Sequence, residues 1–319
     1  MSISSQTGMV SPLVSVIINC RNGREYLPAA IGSVLAQTYG NWEIVLWDNA
    51  SEQDIKSIAL SYGDARIRYC RGETTVRLGH ARNLAIERAR GELIAFLDSD
   101  DLWRPEKLQK MVPLFNDPEV SLAVSDVESF NERGLRKRLG TTKKFVRGLC
   151  FGNLLADYFL VLSSAMVRGS TLKKHALRFP DDFEMVEELD LFLRLAYISK
   201  IDFSAEVLAE WRVHGGSTTW QRFHLLADET EHMLGGMIKS WPEIERRFAN
   251  EIHSRRVWIV RQRALALWMR GDGQGTRTCL RNFPGVLPWK IYSLYLLSRL
   301  DAKRWLPIIY RLFASNVSP

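Results

Sequence analysis

The sequence predicts an α/β fold, a Rossmann-like and mostly parallel central sheet flanked by helices, followed by an α-helical C-terminal extension. Three observations carry this reading. Short β-branched or apolar runs alternate with helix-period segments from residue 14 to about residue 126, the pattern of successive βαβ units. Polar, turn-forming residues stand at the carboxyl side of these runs. Beyond Phe223 the pattern is helical throughout, with basic and Trp-rich faces.

The elements follow in order. "VSVII" (14–18) is the first strand, and the turn-rich "NCRNG" ends it. Residues 25–36 read as a helix with Leu27, Ile31, Val34 and Leu35 on one side. "WEIVLW" (42–47) is the second strand and stops at Asp48. "DIKSIALSY" is the second helix and "RIRY" a short third strand. "GHARNLAIERAR" is the third helix, stopped by Gly91. "ELIAFL" is the fourth strand, ending at Asp98. "PEKLQKMVPLF" opens the fourth helix with Pro105 in its first turn, where a missing N–H is harmless. "VSLAVSD" (120–126) is the fifth strand. Residues 130–150 turn basic, "NERGLRKRLGTTKKFVRG", and read as an exposed, mobile loop. "EMVEELDLFLRLAYIS" is the last clear helix before the extension.

Bulk properties narrow the function. The 319 residues are 46% hydrophobic, enough for one large domain or one domain with an appendage. Charged residues at 25% and ten Trp argue against disorder. No apolar run approaches the ~20 residues of a membrane-spanning helix. The opening "MSISSQTGMVSP" lacks the pattern of a signal peptide. Cys20, Cys70, Cys150 and Cys279 are scattered without metal-ligand spacing, so reduced thiols and a cytoplasmic location are expected. From Glu251 onward there are 12 Lys/Arg against 3 Asp/Glu. The net charge of +7 therefore leaves −2 for the rest of the chain, which argues against a nucleic-acid-binding core.

The chemistry gathers at strand ends. In open parallel sheets, ligands bind outside the carboxyl ends of the strands. Asn22, Asp48 and the Asp98–Asp101 cluster all follow such ends and can meet at one crevice. In "FLDSDDLW", Asp98, Asp100 and Asp101 crowd within four positions. A divalent cation makes such crowding tolerable, and Mg2+ takes one or two protein carboxylates while keeping other positions for water and phosphate oxygens. An acidic cap on the helix starting near Pro105 explains the cluster equally well.

The surrounding motifs decide between these. "PLVSVIINCRNGREYLPAAIGSVLAQTY", "NWEIVLWDNAS", "GHARNLAIERARGELIAFLDSDDLW", "EELDLFLRLA" and "RVHGGST" stand in the order and spacing of the family 2 glycosyltransferases, which the chain resembles over about residues 12–220. The resemblance implies a GT-A fold and transfer of a sugar, with inversion, from a nucleotide-diphosphate donor aided by Mg2+ or Mn2+. It implies a catalytic domain over residues 1–222, with a nucleotide-sugar half at 12–126 and an acceptor half at 127–222, and a helical basic region at 223–319.

Carried over residue by residue, the resemblance assigns Asn22 to the donor crevice, Asp48 to the donor base, Asp98 to the ribose and metal, and Asp100 to the metal. Asp101 either joins them or caps the next helix. Arg82 and Asn83 in "GHARN" fall near the nucleotide and diphosphate, and Gly79 would let the backbone approach the donor. Glu188, flanked by Glu187 and Asp190, occupies the position of the general base, where the family more often has Asp. His214 in "RVHGGST" matches a residue that approaches the metal or diphosphate. Arg21 stands where Tyr is common, and a guanidinium there would stack on the base or reach a phosphate.

The expected activity is transfer from a UDP-sugar to a glycan or lipid-linked acceptor hydroxyl in cell-surface polysaccharide synthesis. Two alternatives remain. One is a non-catalytic nucleotide-sugar binder that docks on membranes. The other is a D-x-D phosphatase, although such enzymes carry the motif on an early strand and want Thr or Val where Leu102 stands. Residues 283–313 mix Trp, Tyr and Leu with Lys290, Arg299, Lys303, Arg304 and Arg311. They read either as a peripheral anchor for the anionic inner membrane face or as a helical lid on the catalytic domain.

Overall fold

The computed structural model describes residues 11–131, 133–141, 145–215 and 222–284, with scattered positions as far as 299. Strands β1 (Val14–Cys20), β2 (Trp42–Asp48), β3 (Ile67–Arg71) and β4 (Leu93–Phe96) lie in the order β3-β2-β1-β4, all parallel. Every residue of β1, β2 and β4 is buried, as strands covered on both faces must be. Their side chains alternate between two cores. Val14, Val16 and Ile18 pack with Leu27, Ile31 and Val34 of α1 (Leu27–Leu35). Ile17, Val45, Ile94 and Phe96 pack on the other side with Ala81 and Ala85 of α3 (Leu78–Ile86). Between them, α2 (Ile55–Ser61) is capped by Asp54, whose carboxylate accepts from the Ser57 amide.

The chain order reverses at β1. β2 and β3 build outward on one side and β4 on the other, so a crevice opens beyond the carboxyl ends of β1 and β4. The register aligns those ends: Cys20 pairs with Asp48, and Asp48 with Arg71.

The sheet continues from β4 through β8 (Ala165–Arg168), β6 (Val120–Asn131), β9 (Lys200–Val213) and β5 (Leu102–Trp103). Here β6 and β9 run parallel and the other pairings are antiparallel. Only the β3-β2-β1-β4 half is therefore purely parallel. Neither β8 nor the long β9 was legible as a strand. Register shifts at Ser125–Val127 bend this half of the sheet.

Three expectations need correction. The segment expected as a mobile loop forms in part a hairpin, with β7 (Arg136–Arg138) paired to β6 and Arg136 and Arg138 bound to Glu128 and Asp126. The helix expected at 105–115 is only α4 (Lys107–Met111), followed by a 3-10 turn over Val112–Asn116, because Pro113 cannot supply the next helical N–H. The helix expected from residue 184 begins at Glu187, as α7 (Glu187–Ile198).

Beyond α5 (Phe151–Ala156) and α6 (Gly169–Lys174), the extension forms α8 (Leu226–Ser240), α9 (Glu243–Arg247), α10 (Ala249–Met269) and α11 (Gly273–Arg281). Met233, Leu234, Met237, Ile252 and Ile259 share one core with Leu154, Leu155, Leu189 and Phe192. Arg255, 2% exposed, donates from Nε to the Leu155 carbonyl at 2.6 Å and from Nη2 to the Leu154 carbonyl at 3.1 Å. These belong to the last turn of α5, where carbonyls lack helical partners. Among the described residues, no helix is long and apolar enough to cross a membrane. Most of the 283–313 segment read as an anchor or lid lies outside the described residues.

Candidate active site

The acidic turn after β4 is pinned from below. Asp101 is 1% exposed. It accepts from the Ser163 hydroxyl at 2.6 Å and the Arg212 amide at 2.9 Å. The same Ser163 hydroxyl accepts from the Asp98 amide at 3.1 Å. Burial, with Asp100 and Asp98 nearby, pushes the Asp101 carboxyl well above its ordinary range, against the pull of Ser163 and Arg212. Asp101 thus anchors the turn to β9 and does not cap the following helix. With Asp101 inside, Asp98 and Asp100 are left about one-third exposed, at 36% and 33%.

His214, at the end of β9, places Nε2 2.9 Å from Asp100 Oδ2. Its ring lies 5.0 Å from the Tyr26 ring. The Arg212 guanidinium sits between Tyr26 and Phe130, 4.7 and 4.5 Å from their ring centres, and its Nε donates to the Asp100 carbonyl at 2.8 Å. The structure therefore brings His214 to Asp100, 114 residues away in sequence.

Arg82 is the centre of the second cluster. It is 3% exposed and donates from Nη1 to Glu187 Oε1 at 2.6 Å and from Nη2 to Asp98 Oδ1 at 3.2 Å. Its burial opposes the charge, but Asp98, Glu187 and Glu188 together hold its pKa above the ordinary guanidinium value. Asp98 is pushed upward by burial, against Arg82 and with the repulsion of Asp100 and Glu187. Asp98, Glu187 and Glu188 place three carboxylates around one guanidinium.

Glu188 stands in the first turn of α7, beside this cluster. Burial raises its carboxyl from the usual 4.5 to about 8; Arg82 opposes the shift, while Glu187 and Asp98 add to it. Among the described residues, no hydrogen bond contributes to its state. Asp190 is engaged elsewhere, accepting from Arg194 Nε at 2.6 Å. Glu187 Oε2 and the Tyr158 hydroxyl are both buried without a protein partner among the described residues. The Tyr158 phenol is held well above its ordinary pKa by burial and then by Glu188 and Glu187.

The remaining expected residues have other partners. Asp48 is fully enclosed. It accepts from Tyr69 Oη at 2.7 Å, Arg71 Nη1 at 2.5 Å and the Ser51 amide at 2.8 Å. Burial opposes its ionisation, but these bonds win and hold its pKa below the ordinary value. Of these partners, Tyr69 is half-buried and Arg71 is 47% exposed. Asn22 adopts a left-handed φ of 55°, and its Oδ1 accepts from the Glu52 amide at 2.8 Å, tying the loops after β1 and β2 together. Asn83 spends its amide on Phe179, donating to its carbonyl at 2.8 Å and accepting from its N–H at 3.0 Å. Gly79 faces protein: a Cβ there would meet the Pro180 carbonyl at 2.7 Å. Both residues hold α3 against the segment leading to α7.

Sequence reasoning missed Arg71, Ser163, Arg212 and Tyr158. Arg71 was within reach of it, since it follows a predicted strand at the same sheet edge as Asp48. Ser163 and Tyr158 carry no motif, and only the fold reveals them.

With this geometry in place, comparison with known proteins is informative. The family described as "Glycosyl transferase family 2" matches residues 15–167. An uncharacterized glycosyltransferase of Rickettsia typhi is 33% identical over 238 residues, 72% of each chain. The Escherichia coli UDP-Glc:alpha-D-GlcNAc-diphosphoundecaprenol beta-1,3-glucosyltransferase WfgD is 26% identical over 232 residues, 72% of this chain and 87% of that one. Among solved structures, S. aureus TarS 1–349 in complex with UDP-GlcNAc has a TM-score of 0.58 at 19% identity, covering 94% of this chain and 91% of that one. The mannosyltransferase PcManGT from Pyrobaculum calidifontis, in complex with GDP-Man and Mn2+, has a TM-score of 0.63 at 16% identity, covering 97% and 84%. At such identities the structural likeness shows the fold, which is the GT-A fold of these enzymes.

Proposed function

Because the chain belongs to the family 2 glycosyl transferases, we propose that it transfers a sugar from a UDP-sugar to an acceptor hydroxyl, with inversion and with Glu188 as general base. The observation that carries the base assignment is the Glu188 carboxyl itself. It is held near pKa 8, without a hydrogen bond among the described residues, beside the Arg82–Asp98 pair. A base works best with a pKa near the operating pH. Asp190 and Glu187, its acidic neighbours, are bound to Arg194 and Arg82.

In this reading Glu188 takes the proton of the acceptor hydroxyl, and the oxygen attacks the anomeric carbon from the face opposite the diphosphate. Arg71, braced by Asp48, stands at the base end of the donor crevice. Arg82 fixes Asp98 and Glu187 relative to one another, so the donor and acceptor sides keep one geometry.

The residues present fit a divalent cation. Two part-exposed carboxylates, Asp98 and Asp100, are the hard oxygen ligands that Mg2+ or Mn2+ takes alongside water and phosphate. The surplus of carboxylates over guanidinium favours a cation there. Asp100 and Asp98 would hold the ion, with His214 beside Asp100. When bound, the cation would neutralise charge on the departing diphosphate.

The donor and acceptor classes take support from relatives. WfgD is named for transfer from UDP-Glc to a diphosphoundecaprenol-linked sugar, and another relative, TuaG of Bacillus subtilis, is named for teichuronic acid biosynthesis. A sugar on a lipid diphosphate is therefore the acceptor to try first. The test incubates the full chain with UDP-sugars, Mn2+ and such an acceptor, and follows UDP release and product configuration. Acceptor-dependent release with inversion is the expected result. Tight donor binding without turnover would make the protein a non-catalytic binder.

A further inference from the structure

The segment from Leu177 to Val186 has no helix or strand, yet it delivers the chain to Glu187 and Glu188. A base carried just beyond an irregular segment is only as well placed as the segment itself. Contacts on two sides hold it. From the donor half, Arg77 Nη1 donates to the Asp182 carbonyl at 2.9 Å, His80 Nδ1 meets Asp181 at 3.0 Å, and Asn83 grips Phe179. These contacts end before residue 184, apart from a 3.6 Å ion pair between Arg77 and Glu184.

The other side comes from the C-terminal helices. Glu229, in the first turn of α8, accepts from the Glu184 amide at 3.0 and 3.1 Å and from the Met185 amide at 2.8 Å. Arg222 pairs with the Glu184 carboxylate, and the His232 ring lies edge-on to Phe183 at 5.7 Å. The Glu229 carboxylate sits half-buried near Glu187 and Glu184, whose charges disfavour it. Among the described residues, the Glu184 and Met185 amides are its hydrogen-bond partners, and those bonds fix the backbone immediately ahead of α7.

We propose that Glu229 is a positioning residue: by holding the Glu184 and Met185 amides from the C-terminal region, it sets where Glu188 meets the acceptor hydroxyl. This rests on the reading of Glu188 as the base. It makes α8, which lies beyond the residues matched by the family, a working part of the active site. A displacement of about 1 Å at a reacting group can cost up to ~100-fold in rate.

The test compares Glu229→Ala, Glu229→Asp and Glu229→Gln in the full chain. Asp keeps the charge but shortens the reach by one methylene, so its effect is one of position. Gln keeps the reach and an accepting oxygen. The expected result is a kcat lowered about 10- to 100-fold in the Ala and Asp variants, unchanged donor Kd, and substantial recovery in Gln. Amide exchange at Glu184 and Met185 should speed up in the Asp variant. A wild-type kcat in Glu229→Asp, or a loss of kcat matched by loss of donor affinity, would overturn the proposal. If Glu188→Gln is itself fully active, the base reading fails; if it is inactive while Glu229→Asp is normal, only the positioning role fails.

Discussion

Arg82 and Glu187, 105 residues apart, form an ion pair of 2.6 Å with side chains only 4% and 6% exposed. This pair joins the helix that follows β3 to the first turn of α7, and so joins the Asp98 side of the site to the candidate base. Removing one partner of such a pair leaves the other buried without compensation.

Arg82→Ala should therefore destabilise the fold by about 3–5 kcal/mol, measured by denaturant unfolding. Arg82→Lys should recover only part of this, because one ammonium does not reproduce a fork that reaches both Glu187 and Asp98. Equal stability of the Lys variant and wild type would show that the bridge to Asp98 contributes nothing.

The Glu188 carboxyl predicts two pH dependences. A base must be deprotonated, so kcat/KM should climb with pH and level off above about 8. Stability should run the other way. Between the ordinary 4.5 and about 8, the folded state binds the Glu188 proton more tightly than the unfolded chain does. This contribution is full below 4.5 and declines as pH rises through 8. Glu188→Gln should flatten that decline, as read from unfolding curves at pH 5, 7 and 9.

Asp100→Asn removes a candidate metal ligand that is one-third exposed and holds no core contact. Transfer should lose its response to Mn2+, and donor binding should become metal-independent, while the melting temperature stays near wild type. Metal-stimulated transfer at the wild-type rate would remove Asp100 from the metal site.

Much of this site was legible because its motifs sit where βαβ geometry forces them. The ends of β1, β2 and β4 put Asn22, Asp48 and Asp98 at one edge, and alternation alone predicts that. The mixed half was less legible. β9 alternates poorly, with a burial pattern broken by exposed Ala205 and Glu206, and its pairing with β6 is shifted three times. The partners of Gly79, Asn83 and Asp48 were not legible in the sequence. A motif names a residue's neighbourhood but not the direction its side chain takes. Asn83 and Asp48 turn toward Phe179 and Arg71, and Gly79 lies against the Pro180 carbonyl, partners set by long-range packing.

Arg255 tests whether the C-terminal helices are integral. Arg255→Ala leaves the Leu154 and Leu155 carbonyls without their donor, at about 1–3 kcal/mol for each. Denaturant unfolding should stay a single transition at lower denaturant. Two separate transitions would mean that α10 is a detachable unit.

The central claim is that Glu188 is the base, and the most direct measurement is the transfer rate of Glu188→Gln at saturating donor and acceptor, with donor Kd measured alongside. The account predicts a fall of about 10²–10⁴-fold in kcat with donor binding retained. A near wild-type rate in Glu188→Gln, with Glu187→Gln or Asp190→Asn inactive in its place, would contradict it.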